Sequence, residues 1–317
     1  MNVIHSATGL KLRRQKICLA IGMFDGVHLG HQQVIRKTIA DAEQQEALPV
    51  VITFDRHPNT VVAAGQVPPL IYSLPQKLRA IEQLGADTTL LIHFDKAFSE
   101  LSGETFVRQL ARDCGQIYSI CVGASFAFGH QRTGDVELLK RLGHELHFHV
   151  HGLAAVSLDG QIVSSTRIRE MIRTGQFDGA NQMLGREYAL NGKVMGGDGI
   201  GRQLGFPTAN IDVTGLALPP HGVWTVHAYV RKQVHRAVLN IGYRPTLKSP
   251  ARDLRVEAHL LDFVGDIYEQ ELELTFVEKL RDEQKFSSVD ALREQVQRDI
   301  LAARKRFATG QSQCQAD

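Results

Sequence analysis

The chain has 317 residues, 43% hydrophobic and 22% charged, the profile of a globular protein with room for two domains of ordinary size. Lys plus Arg number 36 against 34 Asp plus Glu, a net charge of only +2, which argues against a duplex-binding surface and confines any anion recognition to local sites. No stretch approaches the ~18 apolar residues of a membrane helix. The four cysteines form no Cys-x-x-Cys pair, so a reducing, cytoplasmic setting is expected.

Apolar runs at 16–21, 49–54, 88–94 and 117–122 predict buried strands. Between them, 32–45, 75–84 and 104–114 have helical spacing, with Ser73 and Ser102 at N-cap positions and Gly85 and Gly115 just past the ends. Such alternation predicts a doubly wound parallel sheet that binds ligands outside the carboxyl ends of its strands. Around residue 186 the texture changes. A glycine-rich stretch at 192–205 precedes period-two segments at 222–230, 237–241, 254–262 and 270–276, which predict an antiparallel barrel. Residues 288–303 read as a closing helix with Val289, Leu292, Val296 and Ile300 on one stripe. The expected division is 1–185, 186–305 and a disordered polar tail at 306–317.

Residues 22–31 read Gly-Met-Phe-Asp-Gly-Val-His-Leu-Gly-His, between a predicted strand and a predicted helix. A helix start offers unpaired N–H groups, and His28 and His31 share one face of its first turn. Gly22, Gly26 and Gly30 let the backbone approach a polyphosphate closely. No Gly-x-x-x-x-Gly-Lys-Ser/Thr occurs, and Gly199, Gly201 and Gly205 miss the Gly-x-Gly-x-x-Gly spacing. A second anion cradle is Ser-Ser-Thr-Arg-Ile-Arg at 164–169, where hydroxyls at a helix start precede Arg167 and Arg169. His144, His147, His149 and His151 include three at period two, but only Glu145 accompanies them, and a half-exposed strand face is expected rather than a metal site.

Further signatures are Thr-Phe-Asp-Arg-His-Pro at 53–58, Val-Gly-Ala-Ser-Phe-Ala-Phe-Gly at 122–129 with Arg132 and Gly134, and Gly-Arg-Gln-Leu-Gly-Phe-Pro-Thr-Ala-Asn at 201–210. Asn-Ile-Gly-Tyr-Arg-Pro-Thr at 240–246 and Val-Glu-Ala-His-Leu-Leu-Asp at 256–262 complete the series. From about residue 15 to 305 it resembles the bacterial FAD synthetases, bifunctional riboflavin kinase/FMN adenylyltransferases. The resemblance implies a nucleotidyltransferase domain that joins FMN to AMP from ATP, followed by a riboflavin kinase barrel, with Mg²⁺ and ATP used at both steps. It places His28 and His31 on the ATP phosphates, with Gly22, Phe24, Asp25, Gly30, Ser164, Thr166 and Arg169 around them. Asp55, His57, Ser125 and Phe128 would line the flavin side; on residue type alone, a core histidine satisfied by a carbonyl is an alternative for His57. In the kinase half it implies a flap with Gly196, Gly197, Gly199, Gly201 and Arg202, Thr208 and Asn210 as Mg²⁺ and phosphate ligands, and Glu257 as base. By spacing alone, Asp262 and Asp266 are equally eligible as base. Ser125 stands where the family usually has Asp or Asn, Ala127 where Arg is frequent, and Arg56 in place of proline. The alternatives are a kinase with weakened adenylyl transfer or a non-catalytic flavin-binding regulator. Small molecules are the expected partners, without nucleic acid or membrane, for a monomer or weak homo-oligomer.

Overall fold

A computed structural model describes residues 1–11, 15–62, 67–244 and 253–313. Pro245 and Thr246 of the 240–246 motif, and Cys314 with the other last residues of the expected tail, lie outside the described residues. The chain forms two compact units, Met1–Arg169 with Gln182–Gly185, and Glu170–Asn181 with Arg186–Asp317.

The first unit is built on six parallel strands: β1 (Asn2–Ile4), β2 (Ile17–Ile21), β3 (Leu48–Phe54), β4 (Thr88–Ile92), β5 (Ile117–Gly123) and β6 (His149–Leu153), in the order β1-β4-β3-β2-β5-β6. All five residues of β2 are buried, as a strand covered on both faces requires. Helices Gly103–Cys114 and Val136–Leu146 pack Val107, Leu110, Leu139 and Leu142 against Leu19, Ile21 and Ile120. On the opposite face, where Cys18 and Ala42 meet, lies helix Leu29–Gln44. The predicted caps form: Ser73 Oγ accepts from Gln76 N–H, Ser102 Oγ accepts from Thr105 N–H at 3.1 Å, and Gly85 and Gly115 take positive φ. Burial pushes the thiols of Cys114 and Cys121 up to about 12, leaving them protonated and inert.

His149 and His151 do lie on a strand, the edge strand β6, whereas His147 is the left-handed cap of helix Val136–Leu146. His149 tilts onto the Tyr118 ring, and His151 Nε2 is 3.3 Å from the buried Asp41 carboxylate. Among the described residues no His, Cys, Asp or Glu cluster could hold a metal ion.

After a short hairpin, β7 (Ser157–Leu158) and β8 (Gln161–Ile162), come helices Ser165–Thr174 and Phe177–Leu184. The second unit is a closed antiparallel barrel of β9 (Ala189–Met195), β10 (Ala209–Asp212), β11 (Gly222–Val230), β12 (Gln233–Arg244), β13 (Asp253–Leu260) and β14 (Glu271–Arg281), in the order β10-β13-β12-β11-β14-β9. Its interior is filled by alternate residues such as Val226, Ala228, Leu239, Ile241, Ala258 and Leu274. Phe177 packs on this barrel, stacked 4.8 Å from Phe276 and edge-on to Trp224.

Helix Val289–Gln313 lies on the outer face, capped by Ser288 Oγ, which accepts from Ala291 N–H. It runs ten residues beyond the predicted end, through 306–313 of the expected disordered tail. Tertiary contacts override the polar composition there: Phe307 is buried with Val223, Val238 and Leu261, Arg304 pairs with Asp262, and Arg306 with Glu278. No helix among the described residues is long and apolar enough to cross a membrane.

Candidate active sites

Strand β2 has β3 on one side and β5 on the other, so the strand order reverses at its carboxyl end, where open α/β sheets bind ligands. The turn that leaves it is contorted. Phe24 and Val27 have φ of 49° and 41°, and a β-branched residue in that region is held only by its surroundings. Gly26, at φ 77°, faces Ile71 so closely that a Cβ would lie 2.9 Å from Ile71 Cδ1. His28 is the N-cap of helix Leu29–Gln44, its Nδ1 accepting from His31 N–H at 3.4 Å. The two imidazoles stack with centroids 3.6 Å apart, and Phe24 meets His31 edge-on at 5.4 Å. A side chain at Gly30 would bring its Cβ within 3.2 Å of the His28 ring. His28, His31, Phe24 and Gly30 therefore form one packed block at a helix start.

Asp25, expected around the phosphates, is engaged by protein groups. It is 2% exposed, and its carboxylate accepts from Ile71 N–H (2.9 Å), Tyr72 N–H (3.3 Å) and Arg169 Nη2 (2.9 Å). Arg169 is thereby drawn to the turn, while its buried Nε has no hydrogen-bond partner among the described residues. Ser165 Oγ donates to the Asp25 carbonyl at 3.0 Å, and Ser164 Oγ accepts from Arg167 N–H, so the 164–169 segment meets the 22–31 turn. Thr166 is exposed at the start of that helix.

His57 belongs to the same cluster. Its Nδ1 accepts from Asn59 N–H at 3.1 Å, and burial together with the nearby Arg169 holds its pKa below the ordinary value, with Asp25 opposing. Burial works against ionisation of Asp55, but the Phe94 N–H, Arg56 and His93 outweigh it and keep this carboxylate below its usual range. Arg56 is thus an ion-pair partner of Asp55. Ser125 is exposed after β5. Phe128 is packed, stacked 5.1 Å from Phe126 and continuing through Phe106, Phe98 and Phe94 to Phe54. Two imidazoles, a guanidinium and the N-terminus of helix Leu29–Gln44 suit an anionic reactant.

The second unit holds a cavity of about 380 Å³ between the outer barrel face and helix Val289–Gln313. Asn210, Glu257 and Asn240 are register neighbours on β10, β13 and β12, hence side by side on that outer face, and all three line the cavity. Thr208, Gly201 and Arg202 line it too, with Leu292, Val296 and Ile300 from the helix, whereas Val289 is exposed. The flap rests on the polar row. A Cβ at Gly197 would overlap the Asn210 amide, and one at Gly201 would sit 3.0 Å from Thr208 Oγ1. Gly196 meets nothing within 4 Å. Arg255 Nη1 ties Asp198 of the flap (3.0 Å) and lies 3.9 Å from Glu257 Oε1. The alternatives to Glu257 are occupied elsewhere: Asp262 pairs with Arg304, and Asp266 caps the Tyr268 N–H.

The FAD synthetase family model matches residues 11–167 and the riboflavin kinase family model residues 184–307. A bifunctional riboflavin kinase/FMN adenylyltransferase of Pseudomonas fluorescens is 33% identical over 304 residues, covering 96% of this chain and 97% of its own length. The one from Escherichia coli K12 is 33% identical over 309 residues, covering 97% and 98%. The chain belongs to the bifunctional riboflavin kinase/FMN adenylyltransferase family. Its N-terminal part carries FMN adenylylation and its C-terminal part riboflavin phosphorylation, with riboflavin, FMN, FAD and ATP as substrates and products. A solved structure described as a macrolide-efflux protein from Streptococcus pneumoniae has the same fold, with a TM-score of 0.75 at 26% identity, covering 95% of this chain and 98% of that one.

For a riboflavin kinase/FMN adenylyltransferase, sequence reading passes over three residues that the two clusters bring in. Asn240 completes the row beside Glu257, and Arg255 ties flap to barrel; Gly197, one of the expected flap glycines, is the one against Asn210. Lys77, on helix Leu74–Glu82, is buried beneath the turn that leads to His28 and His31. Asn240 alone stood inside a motif; the pairings of the others arise only on folding.

Proposed function

We propose that FMN is adenylylated at the His28–His31 turn within residues 1–185, and riboflavin phosphorylated at the Thr208–Asn210–Glu257 row within residues 186–305. What supports this most directly is that each half holds one chemically distinct constellation: stacked imidazoles and a guanidinium at a helix start in the first, and a carboxylate flanked by amides in the second. The FMN phosphate is already an anion when it attacks the α-phosphorus of ATP and pyrophosphate departs, so donors and positive charge suffice. His28, His31, Arg169 and the helix N–H groups bind the phosphates, His31 meeting the charge that develops. Ser164 and Thr166 close the same side, Gly22 and Gly30 leave room, and Phe24 and Asp25 hold His31 and Arg169 in place. Asp55, His57, Ser125 and Phe128 frame the flavin side.

A riboflavin hydroxyl must lose its proton as it attacks the γ-phosphorus of ATP and ADP leaves. Glu257 takes that proton. The Thr208 hydroxyl and the Asn210 amide oxygen are hard donors that fit Mg²⁺, an ion that keeps few protein ligands when phosphates share its coordination. Bound there, the ion would neutralise phosphate charge. The flap, with Gly196, Gly201 and Arg202, covers the nucleotide. A near-neutral net charge of +2 supports small-molecule partners without nucleic acid or membrane; we further take the protein to be cytoplasmic and a monomer or weak homo-oligomer. His31→Ala is expected to lower FAD formation at least about a hundredfold while FMN formation persists, and Asn210→Ala to do the reverse. Chromatographic assay of both products checks this; loss of both reactions from either change in a folded protein would refute separate sites.

A further inference from the structure

Helix Leu74–Glu82 carries a lysine with no role in the mechanism above. Lys77 is 4% exposed, and its Nζ donates to the carbonyl of Phe54 (2.7 Å), the last residue of β3, and to that of Met23 (3.4 Å), in the turn after β2. Lysines are rarely buried this far without a direct carboxylate partner. Here the contacts are two neutral carbonyls, while Asp25 and Asp55 act on the ammonium through space. Those carbonyls belong to the two loops that carry His28 and His31, and Asp55 and His57. Thr53 Oγ1 also donates to the Met23 carbonyl, at 3.0 Å. From the other direction, the Asp25 carboxylate holds Ile71 and Tyr72, just before the Ser73 cap of the lysine's own helix. Turn and helix thus grip each other twice, by an anion on one and a cation on the other.

We propose that Lys77 is a positioning residue for adenylyl transfer, its ammonium clamping the His28–His31 turn to the Asp55–His57 loop and setting a fixed positive charge beneath the nucleotide site. This rests on the assignment of that site to ATP. The cluster already contains the carboxylates of Asp25 and Asp55; a triphosphate adds more negative charge, and the departing pyrophosphate concentrates it. A cation that needs no reorganisation offsets this most when the charge is greatest, so its loss falls on turnover rather than on ground-state binding. Burial lowers the pKa of Lys77 to about 8, with Asp25 and Asp55 opposing, and Arg169 and His57 are the other charged or titratable neighbours in the cluster. The charge therefore disappears as pH rises through that value.

The test uses the full chain, wild type, Lys77→Met and Lys77→Arg, measuring FAD formation from FMN and FMN formation from riboflavin across pH. Lys77→Met keeps the stem and removes the charge; it is expected to lower kcat for FAD formation about thirtyfold with KM for ATP changed less than about threefold, leaving riboflavin phosphorylation unaltered. Wild-type FAD formation should decline above a pH of about 8. Lys77→Arg should move that decline upward, because a guanidinium stays protonated. A Lys77→Met kcat within about twofold of wild type overturns the proposal. So does an alkaline decline that neither variant moves, or loss of both reactions together, which would make Lys77 merely structural. The His31→Ala protein is run alongside: if it still forms FAD at the wild-type rate, the site assignment itself fails, whatever Lys77 does.

Discussion

Gly197 shows how much one hydrogen atom carries at the kinase site. Any side chain there enters the Asn210 amide, so the flap closes over the polar row only because nothing projects from position 197. Gly197→Ala is expected to slow riboflavin phosphorylation at least about tenfold, the equivalent of roughly 1–2 kcal/mol of strain or displacement, while FAD formation from supplied FMN stays normal. Measuring the two reactions separately on the same preparation checks it. The paired histidines at 28 and 31 were legible because spacing alone puts them on one helical face. The fate of Asp25 was not: its partners Ile71 and Arg169 lie 46 and 144 positions along the chain, and no local pattern says which donors a carboxylate will meet. Lys77 escapes notice for a related reason. On a nine-residue helix a lysine reads as solvent-facing, and only the folded chain brings the Met23 and Phe54 carbonyls over it.

Among the elements, those with strong periodicity or flanking caps were predicted well, and those made by pairing were not. Strand β1 is three residues long and exists through its register with β4. Strands β9 and β10 contain or adjoin the glycines of a stretch that looks like a loop, yet they close the barrel. The final helix is held to the barrel face by an ion pair as well as by apolar contacts. Arg281 Nε and Nη2 donate to the Asp299 carboxylate at 2.8–3.1 Å, and Gln295 adds a third donor to a residue only 5% exposed. Removing the guanidinium leaves a buried charge short of partners, which costs about 3 kcal/mol. Arg281→Ala should therefore lower the first unfolding midpoint of the chain by several degrees and impair riboflavin phosphorylation, because Leu292, Val296 and Ile300 on that helix form one wall of the cavity. Thermal denaturation followed by circular dichroism, paired with the kinase assay, provides the check.

At the level of the whole molecule, every residue assigned to adenylyl transfer falls in one compact unit and every residue assigned to the kinase in the other. Two proteins each crippled in one reaction should therefore complement: an equimolar mixture of His31→Ala and Asn210→Ala is expected to convert riboflavin to FAD although neither does so alone. The decisive reading is the lag before FAD appears, which should shorten as total protein rises if FMN travels through solution. No FAD from the mixture, with each partner's remaining reaction intact, would mean that FMN does not leave the molecule that makes it.

The allotment of residues 170–181 to the barrel unit has a practical side. Severing the chain where its texture changes, near 186, would retain every barrel strand but discard Phe177, stripping the stacked neighbour from Phe276 and the edge-on one from Trp224. Vacating an aromatic site of that kind costs about 3–5 kcal/mol. An excised kinase fragment would need to begin upstream of the helix that bears Phe177, or it would be born with its hydrophobic interior open to water.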